Sequence, residues 1–199
     1  VMHNFQVVDT DKNGVDELIV ASFEGVHHLA ILPDGTIRRT QLGAGHAGTA
    51  PSKGSSEVRL GQVGQGQSFL ATIEPWHGNE VVVYESPFHF EWAMVHESSL
   101  WERRVIDTEL AWGHAVYPAN VDDDAEDELI VGVRDDRDSH RCGVRIYDRH
   151  ADGVWHRELI EPGQVAVEDL VLADLNGDQK QEIIAVGRAT HNAVIYWPR

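Results

Sequence analysis

An acidic loop that occurs three times constrains this chain more than any other feature. Its first copy carries oxygen donors at Asp9, Asp11, Asn13 and Glu17, its second at Asn120, Asp122, Asp124 and Glu128, and its third at Asp174, Asn176, Asp178 and Glu182. These are loop positions 1, 3, 5 and 9, and position 7 (Val15, Glu126, Lys180) offers a backbone carbonyl. Alternating oxygens on a short turn suit a hard cation that takes about six to eight oxygen ligands, so Ca²⁺ is the expected ion and Mg²⁺ the second choice. Each copy runs directly into an apolar, β-type stretch such as Leu18-Ile19-Val20, where an EF-hand requires a helix. Asp-rich turns also form simply to satisfy backbone donors, so the loop alone leaves both readings open.

The same register recurs without acids between the first two copies, at 61–69, followed by Leu70-Ala71-Thr72-Ile73. Counting this degenerate copy, the period is about 50–60 residues, the signature of a solenoid, propeller or array. Each unit reads as four short strands, A to D, separated by Gly, Asp and Asn turns, and no segment shows a sustained helical period. A lone four-stranded antiparallel sheet cannot bury both faces. Radial stacking of such sheets solves that problem, and the expected fold is an all-β propeller. The units fall at about 1–53, 54–112, 113–165 and 166–199, the last without a strand D.

The loop between strands A and B resembles that of the FG-GAP/VCBS propellers. Three further phrases, Gly113-His114-Ala115-Val116, Glu74-Pro75-Trp76-His77-Gly78-Asn79, and Val165-Ala166-Val167-Glu168 with Gly187-Arg188-Ala189-Thr190-His191-Asn192, resemble the propeller domain of the aldos-2-ulose dehydratases and their bacterial relatives. That resemblance implies a seven-bladed ring, cupin domains elsewhere, and chemistry on anhydro-ketosugars. About four blades are visible here, so further blades or domains, from a longer chain or another subunit, are the expected partners.

Formal charge is −17, from 33 acids against 16 Lys and Arg, which disfavours nucleic acid and anionic membranes. The apolar runs are strand-length, short of the roughly 20 residues of a membrane-spanning helix. The single cysteine, Cys142, reads as a small, partly buried residue before strand C. Calcium modules of about 0.1–1 mM affinity work outside cells, so a secreted or periplasmic location is expected.

Blade geometry sets the A–B loops on one face and the leads into strand A and the B–C loops on the other, near the channel. Alignment on the acidic loops places His3, His114 and Glu168 at equivalent positions just before strand A, with Ser56 and Glu57 in the degenerate blade. The B–C loops add His27, His28, Glu74, His77, Arg134, His140, Arg188 and His191. Imidazoles suit Zn²⁺ and related metals, and His or Glu can remove a proton α to a carbonyl. The candidate catalytic set is His77, His114, His191, Glu74 and Glu168; the candidate sugar contacts are Trp76, Asn79, Arg134, Arg188 and Asn192. The same residues also serve as turn formers and inter-blade ion pairs in a structural reading, and Trp101 and Trp155 read as blade packing. Three functions remain: a calcium-stabilised propeller that binds carbohydrate, a sugar dehydratase or lyase working at the channel mouth, and a scaffold or adhesion module.

Overall fold

The computed structural model describes residues 1–122, 124–134 and 142–198, apart from the side chains of Gln65, Leu159, Glu161 and Pro162. Its sheets follow the repeat: β1(Met2–Val8) to β4(Ile37–Gly43), β5(Val58–Val63) to β8(Glu102–Asp107), β9(Gly113–Ala119) to β12(Trp155–Pro162), and the three-stranded β13(Val167–Ala173), β14(Glu182–Gly187), β15(Asn192–Tyr196). Every neighbouring pair is antiparallel and in sequence order, the up-and-down meander of a propeller blade. The innermost strands β1, β5, β9 and β13 adjoin one another in turn.

The central strands are apolar on both faces because both are covered. Ile19, Ala21, Val26 and Leu42 of the first blade pack against Val58, Leu70, Val82 and Trp101 of the second. Phe69, Ile73, Val81 and Val83 of the second meet Leu129, Val131, Val133 and Trp155 of the third. Ile130, Val144 and Ala115 of the third meet Val167, Leu170, Leu172 and Ile183 of the fourth. Each fully buried side chain of this size contributes about 1.5–3 kcal/mol, so the seams between blades hold the fold together. Trp101 and Trp155 open equivalent fourth strands and fill equivalent seams: Trp101 donates its backbone N–H to Leu42 O at 2.8 Å, and Trp155 packs edge-on against Phe69 at 5.3 Å.

Three details depart from the sequence reading. The degenerate loop is shorter than 61–69, since Gly61 lies in β5 and Phe69 in β6, with only a 3-10 turn at Gly64–Gly66 between them. A second 3-10 segment, Trp92–Glu97, interrupts the C–D connection of the second blade and packs on β4. His27 and His28 are not loop residues: they lie in β3(Gly25–Ile31) and are buried.

Candidate functional site

The strands A begin earlier than the sequence suggests, and the difference matters chemically. Met2 pairs with Ser22 and Asn4 with Ala21, so His3 is an extra, bulged residue. Gly113 pairs with Val133 and Ala115 with Gly132, which bulges His114. Val167 pairs with Gly187 and Asp169 with Val186, which bulges Glu168. In the second blade Ser56 donates its backbone N–H to Ile73 O while Val58 pairs with Thr72, leaving Glu57 in the same place. A bulge leaves one residue unpaired and re-aims its side chain. His3, His114 and Glu168 are therefore strand residues, not leads, turned out of the ladder by one device used three times, while Glu57 takes the equivalent place just ahead of β5.

His77 reaches the same place from the B–C loop of the second blade, with φ at 48°. Nitrogens of His3, His77 and His114, one from each ring, lie within 4.8 Å of one another. The His77 and His114 rings stack at 4.8 Å, and His3 meets His77 edge-on at 4.4 Å. Two tautomers are fixed by neighbours. His3 Nδ1 lies 3.0 Å from Ser56 O and 3.0 Å from Glu57 Oε1, and His114 Nδ1 lies 2.7 Å from Glu168 O. Carbonyl oxygens only accept, so both Nδ1 atoms carry hydrogen, and in the neutral form of each ring Nε2 keeps its lone pair. Each of these two rings is oriented by the next blade in sequence. His77 Nδ1 is buried without a hydrogen-bond partner among the described residues. Burial, then the neighbouring His3 and His114, pushes His77 down to about 4, while the Glu57 hydrogen bond raises His3. A neutral, crowded imidazole with a free buried nitrogen, beside two rings with oriented lone pairs, fits a borderline cation such as Zn²⁺.

Glu168 stands next to the triad. Its Oε1 is 4.0 Å from His114 Nε2, Arg134 Nε is 3.3 Å from its Oε2, and the largely exposed Arg188 reaches to 3.9 Å. Trp76 is half-buried, edge-on to His3 at 4.7 Å and to Phe23 at 4.6 Å.

The other candidates lie elsewhere. Glu74 is fully buried; its Oε1 accepts from Ser55 Oγ (2.7 Å), Thr72 Oγ1 (2.9 Å) and Tyr84 OH (2.7 Å), and its Oε2 from Arg103 Nε (2.7 Å). Four donors consume this carboxylate inside its blade, which corrects its place at the channel mouth. Asn79 donates to Thr108 O and Asn192 to Gln164 O, so both clamp the connection into the next strand A or out of the previous D. His191 is exposed and outside the triad. His140 lies outside the described residues. The candidate set omitted His3 and Glu57; a bulge gives no local sequence signal, although their alignment with His114 and Glu168 was legible.

At the opposite end, the acidic loops are wound on their own side chains. Asn13 and Gly14 donate backbone N–H groups to Asp9, and Val15 to Asn13. Gly177 and Gln179 donate to Asp174, Asp178 to Asn176 and Lys180 to Asp178. In the second loop Asp124 donates to Asp122 and Glu126 to Asp124, while Asn120 Nδ2 bonds Asp124 O; the Glu126 side chain turns away to Arg149. The closing glutamates are buried and each accepts the N–H of loop position 2: Glu17 from Thr10, Glu128 from Val121, Glu182 from Leu175. Glu182 Oε1 is buried and unpartnered among the described residues, and burial followed by Asp122 and Asp124 pushes Glu128 up to about 7. Asp9, Asp11 and Glu17, and likewise Asp122, Asp124 and Glu128, gather oxygens within 4.8 Å.

No helix among the described residues is long and apolar enough to cross a membrane. No curated protein matches the chain. Residues 1–87 match the family model described as aldos-2-ulose dehydratase, beta-propeller domain. With the same blade design running on through β15, the chain is a β-propeller whose first 87 residues resemble the aldos-2-ulose dehydratase propeller domain.

Proposed function

We propose that this propeller is the metal-dependent, carbohydrate-acting part of a sugar dehydratase, with His3, His77 and His114 holding a divalent transition metal at the channel mouth. The observation that carries the reading is the convergence of three ring nitrogens within 4.8 Å, two of them with their Nδ1 hydrogens already committed to backbone carbonyls. A bound divalent ion supplies Lewis acidity toward a sugar carbonyl or hydroxyl oxygen. Glu168 is the carboxylate beside the triad and serves as base for the proton α to the carbonyl. The electron pair of that C–H bond becomes the C=C bond, and the β-hydroxyl takes back the proton held by Glu168 as its C–O bond breaks, leaving as water. Arg134 and Arg188 hold negative charge that develops on oxygen during the transfer. The half-buried histidine cluster favours this reading over a pure scaffold.

Ca²⁺ in the three acidic loops belongs to the same proposal as a structural ion. It binds only the folded loop and so stabilises by mass action. The buried, unpartnered Glu182 oxygen supports it.

Elemental mass spectrometry of the purified chain tests both parts. The expected result is one zinc-like ion per chain that is absent from His114→Ala, together with calcium that a chelator removes. A wild-type chain carrying no transition metal after reconstitution with Zn²⁺, Mn²⁺ and Fe²⁺ would refute the metal centre.

A further inference from the structure

Trp112 is the least explained large side chain on the channel face. It is 57% exposed and its φ is 63°, a left-handed conformation that bulky side chains rarely adopt. It stands two positions before the bulged His114. The equivalent positions of the second and fourth blades hold Ser55, fully buried, and Ala166, 4% exposed. A tryptophan thus projects where the second and fourth blades keep a small covered residue, while the first blade's equivalent, Val1, is exposed.

The strain is imposed from three sides. Leu110 donates its backbone N–H to Asn79 O at 3.1 Å, Gly113 donates to Gly78 O at 3.0 Å, and Trp112 O accepts from Arg134 N–H at 2.9 Å. Two of these bonds come from the loop that carries Trp76 and His77, and the third from the residue that faces Glu168. Strained backbone persists where its surroundings over-determine it, and such positions cluster at functional sites. The Trp112 backbone is no more than about 7 Å from that of His114 along the chain.

We infer that Trp112 is a stacking platform for the pyranose ring of the carbohydrate acted on at the triad. The inference rests on the proposed carbohydrate function and adds the residue that grips the ring. The surroundings select this occupant. One exposed indole, on a backbone hydrogen-bonded to Arg134 and two residues from His114, is too small an apolar surface to dock a protein. A sugar ring presents a C–H face of that size, rimmed by hydroxyls that hydrogen-bond to charged neighbours. An indole offers a large rigid apolar face at low conformational cost.

The test uses the metal-loaded full chain, with methyl β-D-glucopyranoside and sodium D-glucuronate as probes. Saturation-transfer NMR and tryptophan fluorescence read binding, and elemental analysis reads metal in the same samples. Trp112→Ala should bind the better probe about tenfold more weakly with its metal content unchanged, and Trp112→Phe should retain most of the affinity. Trp112→Gly relaxes the left-handed backbone, so it should melt at or above wild type while binding as weakly as Trp112→Ala. Wild-type affinity in Trp112→Ala overturns the platform. Loss of metal from Trp112→Ala overturns it too, since the residue would then be supporting the triad. A metal-loaded wild type that binds neither probe overturns the platform and leaves the metal centre standing. A chain without transition metal whose sugar binding still depends on Trp112 supports the platform and sinks the metal-centred function.

Discussion

Removing Arg103 should cost more stability than almost any other single surface-reaching side chain. Glu74 is fully buried, and Arg103 is its one basic partner among the described residues, with Nε 2.7 Å from Oε2. Taking away one partner of a buried ion pair costs about 3–5 kcal/mol, because the remaining charge is left uncompensated. Two features place this case at the lower end. Ser55, Thr72 and Tyr84 still donate to the other oxygen, and Arg103 is itself 26% exposed, so water can follow its departure. We expect Arg103→Ala to lose about 3 kcal/mol, a Tm drop of about 6–12 °C for a domain of this size. Glu74→Gln should lose about 2–3 kcal/mol, since its amide points a donor at a guanidinium. The double variant should lose less than the sum, with a coupling of about 2 kcal/mol. Calorimetry on calcium-loaded protein measures all three. The reasoning fails if Arg103→Ala melts within about 2 °C of wild type. It also fails if Glu74→Gln melts like wild type yet abolishes turnover, which would restore Glu74 as a catalytic residue.

Glu57→Gln weakens the acceptor on His3 Nδ1 and should lower zinc affinity about 10–100-fold while leaving the calcium content unchanged; competition with a chromophoric chelator reads this. Glu128 is raised from 4.5 to about 7, so in chelator-treated protein the folded state binds its proton more tightly than the unfolded state. Stability should then fall as pH rises through that window, by up to about 3 kcal/mol; Glu128→Gln should flatten the dependence, and denaturant melts from pH 4 to 8 (, a window of about four units) check it. A methyl group at Gly132 would meet Val167 Cγ1 at 2.3 Å across the seam between the third and fourth blades, so Gly132→Ala should cost about 1–3 kcal/mol, read as a lower denaturation midpoint with unchanged slope.

The fold was legible because its signals are local and repeated. Apolar runs of strand length, acidic turns and a regular period each survive translation into blades without needing distant partners. The site was legible only as far as equivalence goes. Alignment on the loops put His3, His114 and Glu168 at one level, but that level is a bulge, and nothing in the local sequence distinguishes a bulged residue from a paired one. Glu74 shows the converse. Its phrase with Trp76 and His77 looks like a single functional motif, yet the end of β6 carries Glu74 into the blade while the following loop carries His77 out of it. What decides between them is Arg103, which arrives from 29 residues further on. Asn79 and Asn192 looked like ligand contacts for the same reason; polar residues that close a loop and polar residues that hold a ligand have the same composition.

His28 shows how the two ends of a blade can change independently. At the corresponding strand position the third and fourth blades carry Ile146 and Ile195, paired with Ile130 and Ile184, while His28 pairs with Ile19. A buried imidazole in place of isoleucine needs a partner, and the first acidic loop supplies one: Thr10, where the other loops have Val121 and Leu175, lies 3.3 Å from His28 Nε2 and donates its hydroxyl to Glu17 at 2.7 Å. The polar exchange is closed within one blade and leaves the ladder of β2 and β3 in register. The bulges obey the same logic at the other end. An unpaired residue costs the sheet no ladder bond that its neighbours need, so the bulged position accepts histidine in two blades and glutamate in a third without disturbing the seams, and Glu57 fills the equivalent place just ahead of β5. A propeller can therefore vary its chemistry at four equivalent points while the apolar faces that fix its stability stay constant, and the alternation His3, Glu57, His114, Glu168 is the form that variation takes here.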